Sequence, residues 1–144
     1  QNRGANFTLD ETMENCLGPG KKSLHTIIPG FLMKDGKAVG PFGVMGGFMQ
    51  PQGHVQVIMN TLDFMMNPQE TLDAPRWQWV GGKKIQVEKT FPAEIVEELK
   101  RRGHEMEVLE SSLTFGRGQI IWRDENGVLC GATEPRADGA VAVW

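Results

Sequence analysis

The stretch Pro41-Phe-Gly-Val-Met-Gly-Gly-Phe-Met49 decides how this chain is read. An apolar, strand-like run ends there in two adjacent glycines, and an apolar helical pattern opens behind them. Glycine permits close backbone approach and φ values that other residues avoid. Consecutive N–H groups at a helix start can also hold an anion or a developing oxyanion. Gly46-Gly47 is therefore either a tight packing turn or half of an acyl-transfer site. The other half is not identifiable, since the chain has no Gly-x-Ser-x-Gly elbow and no cysteine in a catalytic signature.

Upstream of the glycines, Leu24–Met33 reads as a buried strand and Ala38–Met45 as its returning partner, interrupted by Gly40-Pro41. Lys34-Asp-Gly-Lys37 joins them as a hairpin turn, with Asp-Gly supplying positive φ. Still earlier, Thr8-Leu-Asp-Glu11 has capping-box spacing and predicts a short helix ending near Cys16. Downstream, Val55, Ile58, Leu62 and Met65 recur at helical steps, with Val57, Phe64 and Met66 widening the stripe. This predicts a helix from Gln52 that is buried on most of its surface. Asn67-Pro-Gln-Glu70 supplies an N-cap, a first-turn proline and a capping-box glutamate for a second helix, which Pro75 ends. Trp77–Val80 and Lys84–Val87 read as strands joined by Gly81-Gly82, and Phe91–Arg102 as an amphipathic helix stopped by Gly103. Its Glu94, Glu97, Glu98, Lys100, Arg101 and Arg102 form a solvated face. Glu105–Leu109, Gln119–Arg123, Val128–Thr133 and Ala140–Trp144 complete the expected strands. This order suits an α+β layered domain rather than a doubly wound fold, and the glycines match neither dinucleotide nor P-loop spacing.

With 144 residues, 40% apolar and 23% charged, the chain is sized and composed as one globular domain, residues 1–144. A formal charge of −3 argues against nucleic-acid or anionic-membrane partners. No apolar run approaches the roughly 20 residues that span a bilayer. The chain starts at Gln1 without an initiator Met or a signal-peptide pattern, so it reads as a fragment or processed product, its compartment (cytoplasmic, periplasmic or secreted) left open. Cys16 and Cys130 are expected to be free, buried small residues rather than a disulfide. His25, His54 and His104 lack metal-ligand spacing; His25 reads as a structural histidine and His104 as a surface one. No metal and no cofactor are expected.

Five motifs follow one another at compatible spacing: Asn2-Arg-Gly-Ala-Asn-Phe7, Pro19-Gly-Lys-Lys-Ser-Leu-His-Thr26, Gly43-Val-Met-Gly-Gly47, Asn67-Pro68 with Ala74-Pro-Arg76, and Gly131-Ala-Thr-Glu-Pro-Arg-Ala-Asp-Gly139. Together they resemble the C-terminal part of the small subunit of the γ-glutamyltranspeptidase family, over essentially the whole chain. The resemblance implies a four-layer αββα N-terminal-nucleophile hydrolase, made from a zymogen that cuts itself before a threonine. That threonine attacks a γ-glutamyl amide such as glutathione, with its own α-amine as general base, and the acyl group passes to water or an amine. Gly46 and Gly47 align with the family's oxyanion-hole glycines. The nucleophilic threonine lies upstream of the residues matching Asn2–Phe7, so the resemblance implies a partner: the large subunit or an upstream part of the same precursor.

The acyl-recognition residues depart from the family pattern. Asn6 stands where the family carries a carboxylate for the substrate's α-amine, and Arg3 nearby adds positive charge. His25-Thr26 stands where paired serines bind the α-carboxylate; Thr26 keeps a hydroxyl and His25 offers an imidazole donor. Loss of the carboxylate weakens binding of an ammonium. The altered shell is similar to the acylase-type branch, which acts on glutaryl amides of cephalosporins. A noncatalytic module that keeps the fold is the competing expectation, and a metal-dependent amidase a third.

Overall fold

The computed structural model describes residues 2–144, with side chains from residue 4 onward. A 3₁₀ turn, Asn2–Asn6, leads into irregular backbone, and the first strand, β1, is Gly30–Lys34. Then come β2 (Lys37–Met45), α1 (Met49–Leu62), α2 (Pro68–Asp73), β3 (Trp77–Gly81), β4 (Lys84–Glu88), α3 (Ala93–Arg101), β5 (Glu105–Leu109), β6 (Arg117–Arg123) and β7 (Leu129–Thr133). One sheet runs β1-β2-β6-β7 and is antiparallel throughout. The other runs β3-β4-β5, with β4 and β5 parallel across the α3 crossover. The mixed class is as expected. A four-layer sandwich requires layers beyond these two sheets and three helices.

Most local signals act as their chemistry demands. Asp35 and Gly36 take φ of 51° and 74° in the β1–β2 hairpin. At α2, Asn67 accepts from the Glu70 N–H while the Glu70 carboxylate accepts from the Asn67 N–H, both at 2.9 Å. Gly103 takes φ of 94° and ends α3, whose Lys100–Glu97, Arg101–Glu98 and Arg102–Glu98 pairs face solvent. The core forms where β6 alternates: Ile120 and Trp122 point inward and meet Val44, Val57, Leu72 and Ala132. Burying each such side chain stabilises the fold by about 1.5–3 kcal/mol for the larger aliphatics.

Five expectations are corrected. No helix starts at Thr8: the Asp10 N–H donates to Thr8 Oγ1 (3.1 Å) and the Thr12 N–H to Asp10 Oδ1 (2.9 Å), so short side chains satisfy the backbone locally in competition with a helix. The expected strand from Leu24 shortens to Gly30–Lys34. Pro29 cannot donate to a ladder, and Leu24, Ile27 and Ile28 are exposed, so His25 stands on an open loop rather than in a buried strand. Ala140–Trp144 forms no ladder, although Val141 sits over Gly131. Cys16 and Cys130 are free as expected, but half-buried and exposed respectively. α1 is not buried on most of its surface: Val55, Met59, Leu62, Phe64 and Met65 on and just past it are open. Its period is right; one apolar flank simply has no partner among the described residues.

α1 also binds the second sheet through two glutamines. Gln52 and Gln56 each accept from and donate to one residue of β3, Gln52 to Trp79 (2.7 and 3.2 Å) and Gln56 to Trp77 (3.2 and 2.9 Å). Four helical residues rise about 6 Å and two strand residues about 6.6 Å, so the side chains act as a strand along the β3 edge. Gln56→Leu is expected to cost about 1–3 kcal/mol, because Trp77 loses both partners. Thermal unfolding of the full-length protein checks this; an unchanged midpoint would show that the clamp is dispensable.

Candidate functional site

β2 ends at Met45, and Gly46 and Gly47 turn the chain into α1 with φ of 143° and 62°. Both carbonyls face the helix: Gly46 O accepts from the Met49 N–H and Gly47 O from the Gln50 N–H, each at 3.1 Å. In a trans peptide the N–H points opposite the preceding carbonyl, so Gly46 O, turned to the helix, leaves the Gly47 N–H facing away from it, while the Gly46 N–H belongs to the Met45 peptide. Among the described residues, no protein acceptor outside the strand ladders takes either of them. Phe48, at the helix start, is 93% exposed and contributes no side-chain cap. The turn thus presents donors at the positive end of a 14-residue helix dipole, a geometry suited to an anionic oxygen.

The two glycines differ in what they tolerate. A Cβ on Gly47 would enter open space, whereas one on Gly46 would lie 2.9 Å from Gly116 Cα and 3.2 Å from Met49 Cβ. Gly116 itself, at φ 78°, would put a Cβ 2.4 Å from Met45 O. The turn therefore rests backbone against backbone on Gly116. No reading of the sequence singled out this residue; the Gly-x-Gly of Gly116-Arg-Gly118 at a strand start was the available signal.

Behind Gly116 lies a buried charge network: the motifs contain its Arg76, Glu134 and Arg136 without a role, and its fourth member, Glu88, lies outside them. Arg76 donates to Glu134 (2.8 Å) and to Phe115 O (3.0 Å), and Glu134 accepts from the Gly118 N–H (2.5 Å). Arg136 joins Glu134 (2.8 Å) to Glu88 (2.6 Å) and donates to Leu72 O and Ala74 O. Glu88 in turn accepts from the Arg76 N–H at 2.8 Å. Two arginines and two glutamates cancel in charge, and the side chains of Arg76 and Glu134 are 3% and 0% exposed. Gly118 makes room, because a Cβ there would strike Leu72 at 2.5 Å. Burial pushes the Glu134 carboxyl up, but the Arg136 hydrogen bond, the Arg76 charge and the Gly118 N–H outweigh it and hold it below the usual glutamate value. Burial opposes the Arg136 charge, yet Glu88 and Glu134 raise its pKa above the ordinary one. Burial lowers that of Arg76, which stays charged as guanidinium groups do.

The expected acyl-binding residues are only partly gathered. Thr26 is brought to the turn: its carbonyl accepts from Gln50 Nε2 at 2.8 Å, and the Gln50 N–H bonds Gly47. Asn6 lines a separate cleft of about 470 Å³ with Phe7, Glu14, Asn15, Lys21 and Lys22. His25 is exposed on the loop between the two. The Arg3 side chain lies outside the described residues. A larger cavity of about 680 Å³, between the hairpin turns at the far end of β2, holds none of these residues. No group of three or more His, Cys, Asp or Glu among the described residues has metal-site geometry, and no described helix is long and apolar enough to cross a membrane.

Known proteins share this arrangement of motifs and backbone. The family described as Gamma-glutamyltranspeptidase matches residues 1–144. The Glutathione hydrolase-like YwrD proenzyme of Bacillus subtilis (strain 168) is 38% identical over 97% of this chain and 28% of its own length. The Oxamate amidohydrolase proenzyme of Klebsiella pneumoniae is 35% identical over 99% of this chain and 28% of its own. The crystal structure of cephalosporin acylase from Bacillus halodurans superposes with a TM-score of 0.91 at 64% identity, over 100% of this chain and 27% of that one. The chain thus spans little more than a quarter of the length of these three relatives, and by sequence and by fold it belongs to the γ-glutamyltranspeptidase family.

Proposed function

We propose that this chain is the C-terminal portion of the small, catalytic subunit of an autoprocessed N-terminal-nucleophile amidohydrolase, and that it supplies the oxyanion hole and part of the acyl pocket. The observation that supports the reading is the Gly46-Gly47 turn, whose two carbonyls accept from α1 while, among the described residues, no protein acceptor outside the strand ladders takes either glycine N–H. A threonine preceding Gln1 in the full-length protein is the nucleophile. Its α-amine takes the hydroxyl proton as the oxygen attacks the amide carbonyl. The Gly46 and Gly47 N–H groups then hold the oxyanion, at a value on the order of 3 kcal/mol per donor. The amine leaves with a proton, and water or an acceptor amine takes the acyl group.

Along α1 and its ends, Phe48, Val55, Met59, Leu62, Phe64 and Met65 are exposed, an apolar flank of the kind that marks an interaction surface. The large subunit and upstream residues of the precursor cover it and complete the four-layer sandwich. This reading separates the enzyme from a noncatalytic module: intact mass of the expressed full-length protein should give two chains, and one uncut chain would support the module.

The acyl group follows from Asn6 and its cleft. Lys21 and Lys22 line that cleft, against the single carboxylate of Glu14, and Asn6 brings no charge to hold an ammonium. An acyl chain ending in a carboxylate and lacking an α-amine fits better than γ-glutamyl, and the 64% identity to a cephalosporin acylase agrees. The complete, processed protein is expected to hydrolyse glutaryl p-nitroanilide with a kcat/KM at least about tenfold above γ-glutamyl p-nitroanilide, the equivalent of one charged hydrogen bond. A γ-glutamyl preference would assign it instead to the glutathione-hydrolysing branch.

A further inference from the structure

We propose that Gln50 is a positioning residue that fixes the acyl-recognition loop to the oxyanion turn, and so sets selectivity for the acyl group. This rests on the reading of Gly46-Gly47 and Thr26 given above. Gln50 is 8% exposed, an unfavourable place for an amide unless its hydrogen bonds are made. It makes three to three different segments. Its backbone N–H donates to Gly47 O (3.1 Å), its side-chain Nε2 to Thr26 O (2.8 Å), and its own carbonyl meets the His54 ring nitrogen at 2.6 Å.

The side-chain bond has no substitute. Among the described residues, it is the only hydrogen bond outside the strand ladders that ties residues 22–29 to anything. Leu24, Ile27 and Ile28 of that loop are exposed and give it little packing of its own. The separation between the Thr26 hydroxyl and the Gly46-Gly47 donors therefore depends on one amide standing on the first turn of α1. Because Gln50 also bonds Gly47, the acyl carboxylate and the scissile carbonyl are measured from the same residue. Productive seating of a substrate requires both distances to be right at once.

The test uses the full-length processed protein and two p-nitroanilides of equal acyl length, glutaryl and pentanoyl, which differ only in the distal carboxylate. Gln50→Met keeps the volume and removes the donor. It is expected to reduce the glutaryl-over-pentanoyl preference about tenfold, as loss of one hydrogen bond predicts, with the change in KM rather than kcat. Hydrogen exchange at residues 22–29 should rise by a similar factor, a readout independent of turnover. A purely structural role would lower kcat for both substrates in parallel and keep the preference, and that result overturns the proposal, as does unaltered exchange in the loop. Should Gln50→Met fail to process, Gln50→Asn, which keeps the amide one methylene short, gives the same comparison. Failure of the functional reading looks different: wild-type protein that hydrolyses neither anilide, or Gly46→Ala protein with full turnover.

Discussion

Gly46→Ala lowers kcat by about two to three orders of magnitude, the loss expected when one oxyanion donor is displaced. The added methyl would sit 2.9 Å from Gly116 Cα, and both neighbours are backbone or near-backbone atoms that cannot swing away. The turn must shift, and its N–H groups shift with it. The same crowding means that larger residues, valine included, disturb packing as well as catalysis, so alanine is the cleaner choice. Gly47→Ala is the companion variant. Its methyl meets nothing, but φ of 62° costs a non-glycine residue about 1–2 kcal/mol. It should retain the fold, with a smaller loss of kcat than Gly46→Ala. Steady-state kinetics on processed protein with matching circular dichroism checks both. Native-like Gly46→Ala protein with wild-type kcat would remove the turn from the chemistry.

The second large effect is on stability. Glu134→Gln or Arg76→Met leaves a charge in a site with almost no solvent, a change that typically costs 3–5 kcal/mol. Arg76→Lys is no remedy, because a single ammonium cannot serve Glu134 and Phe115 O together. The network also makes stability depend on pH. Glu134 is held below its ordinary value of 4.5, so its contribution is complete above that pH and is lost as the pH falls through the lower folded value. Urea midpoints of the full-length protein should therefore decline below about pH 4.5. In Glu134→Gln the part of that decline due to this carboxylate disappears. A midpoint for Arg76→Met within about 0.5 kcal/mol of wild type would show that the pair adds nothing net, as some exposed ion pairs do. Because Arg76 and Glu134 bracket Phe115 to Gly118, their loss should also reduce turnover through Gly116.

What was legible in the sequence is local. The Asp35-Gly36 turn, the Asn67 capping box, the Gly103 stop on α3 and the Gln119–Arg123 strand each follow from neighbours within four residues, and each stands in the fold. The motifs were enough to identify the family, because their order and spacing are written in the chain. Tertiary structure decided everything that depends on a distant partner. Leu24–Ile28 has strand composition but no strand beside it, and the apolar flank of α1 has the right period but nothing to cover it. The Gly46–Gly116 contact, the Gln52 and Gln56 clamp on β3, and the Arg76–Glu134, Arg76–Glu88 and Arg136–Glu88 links of the charge network join residues 12 to 70 positions apart. Hydrophobic period and turn chemistry report what a residue wants from its neighbours; which remote backbone or charge answers it is settled only when the sheets have paired and packed.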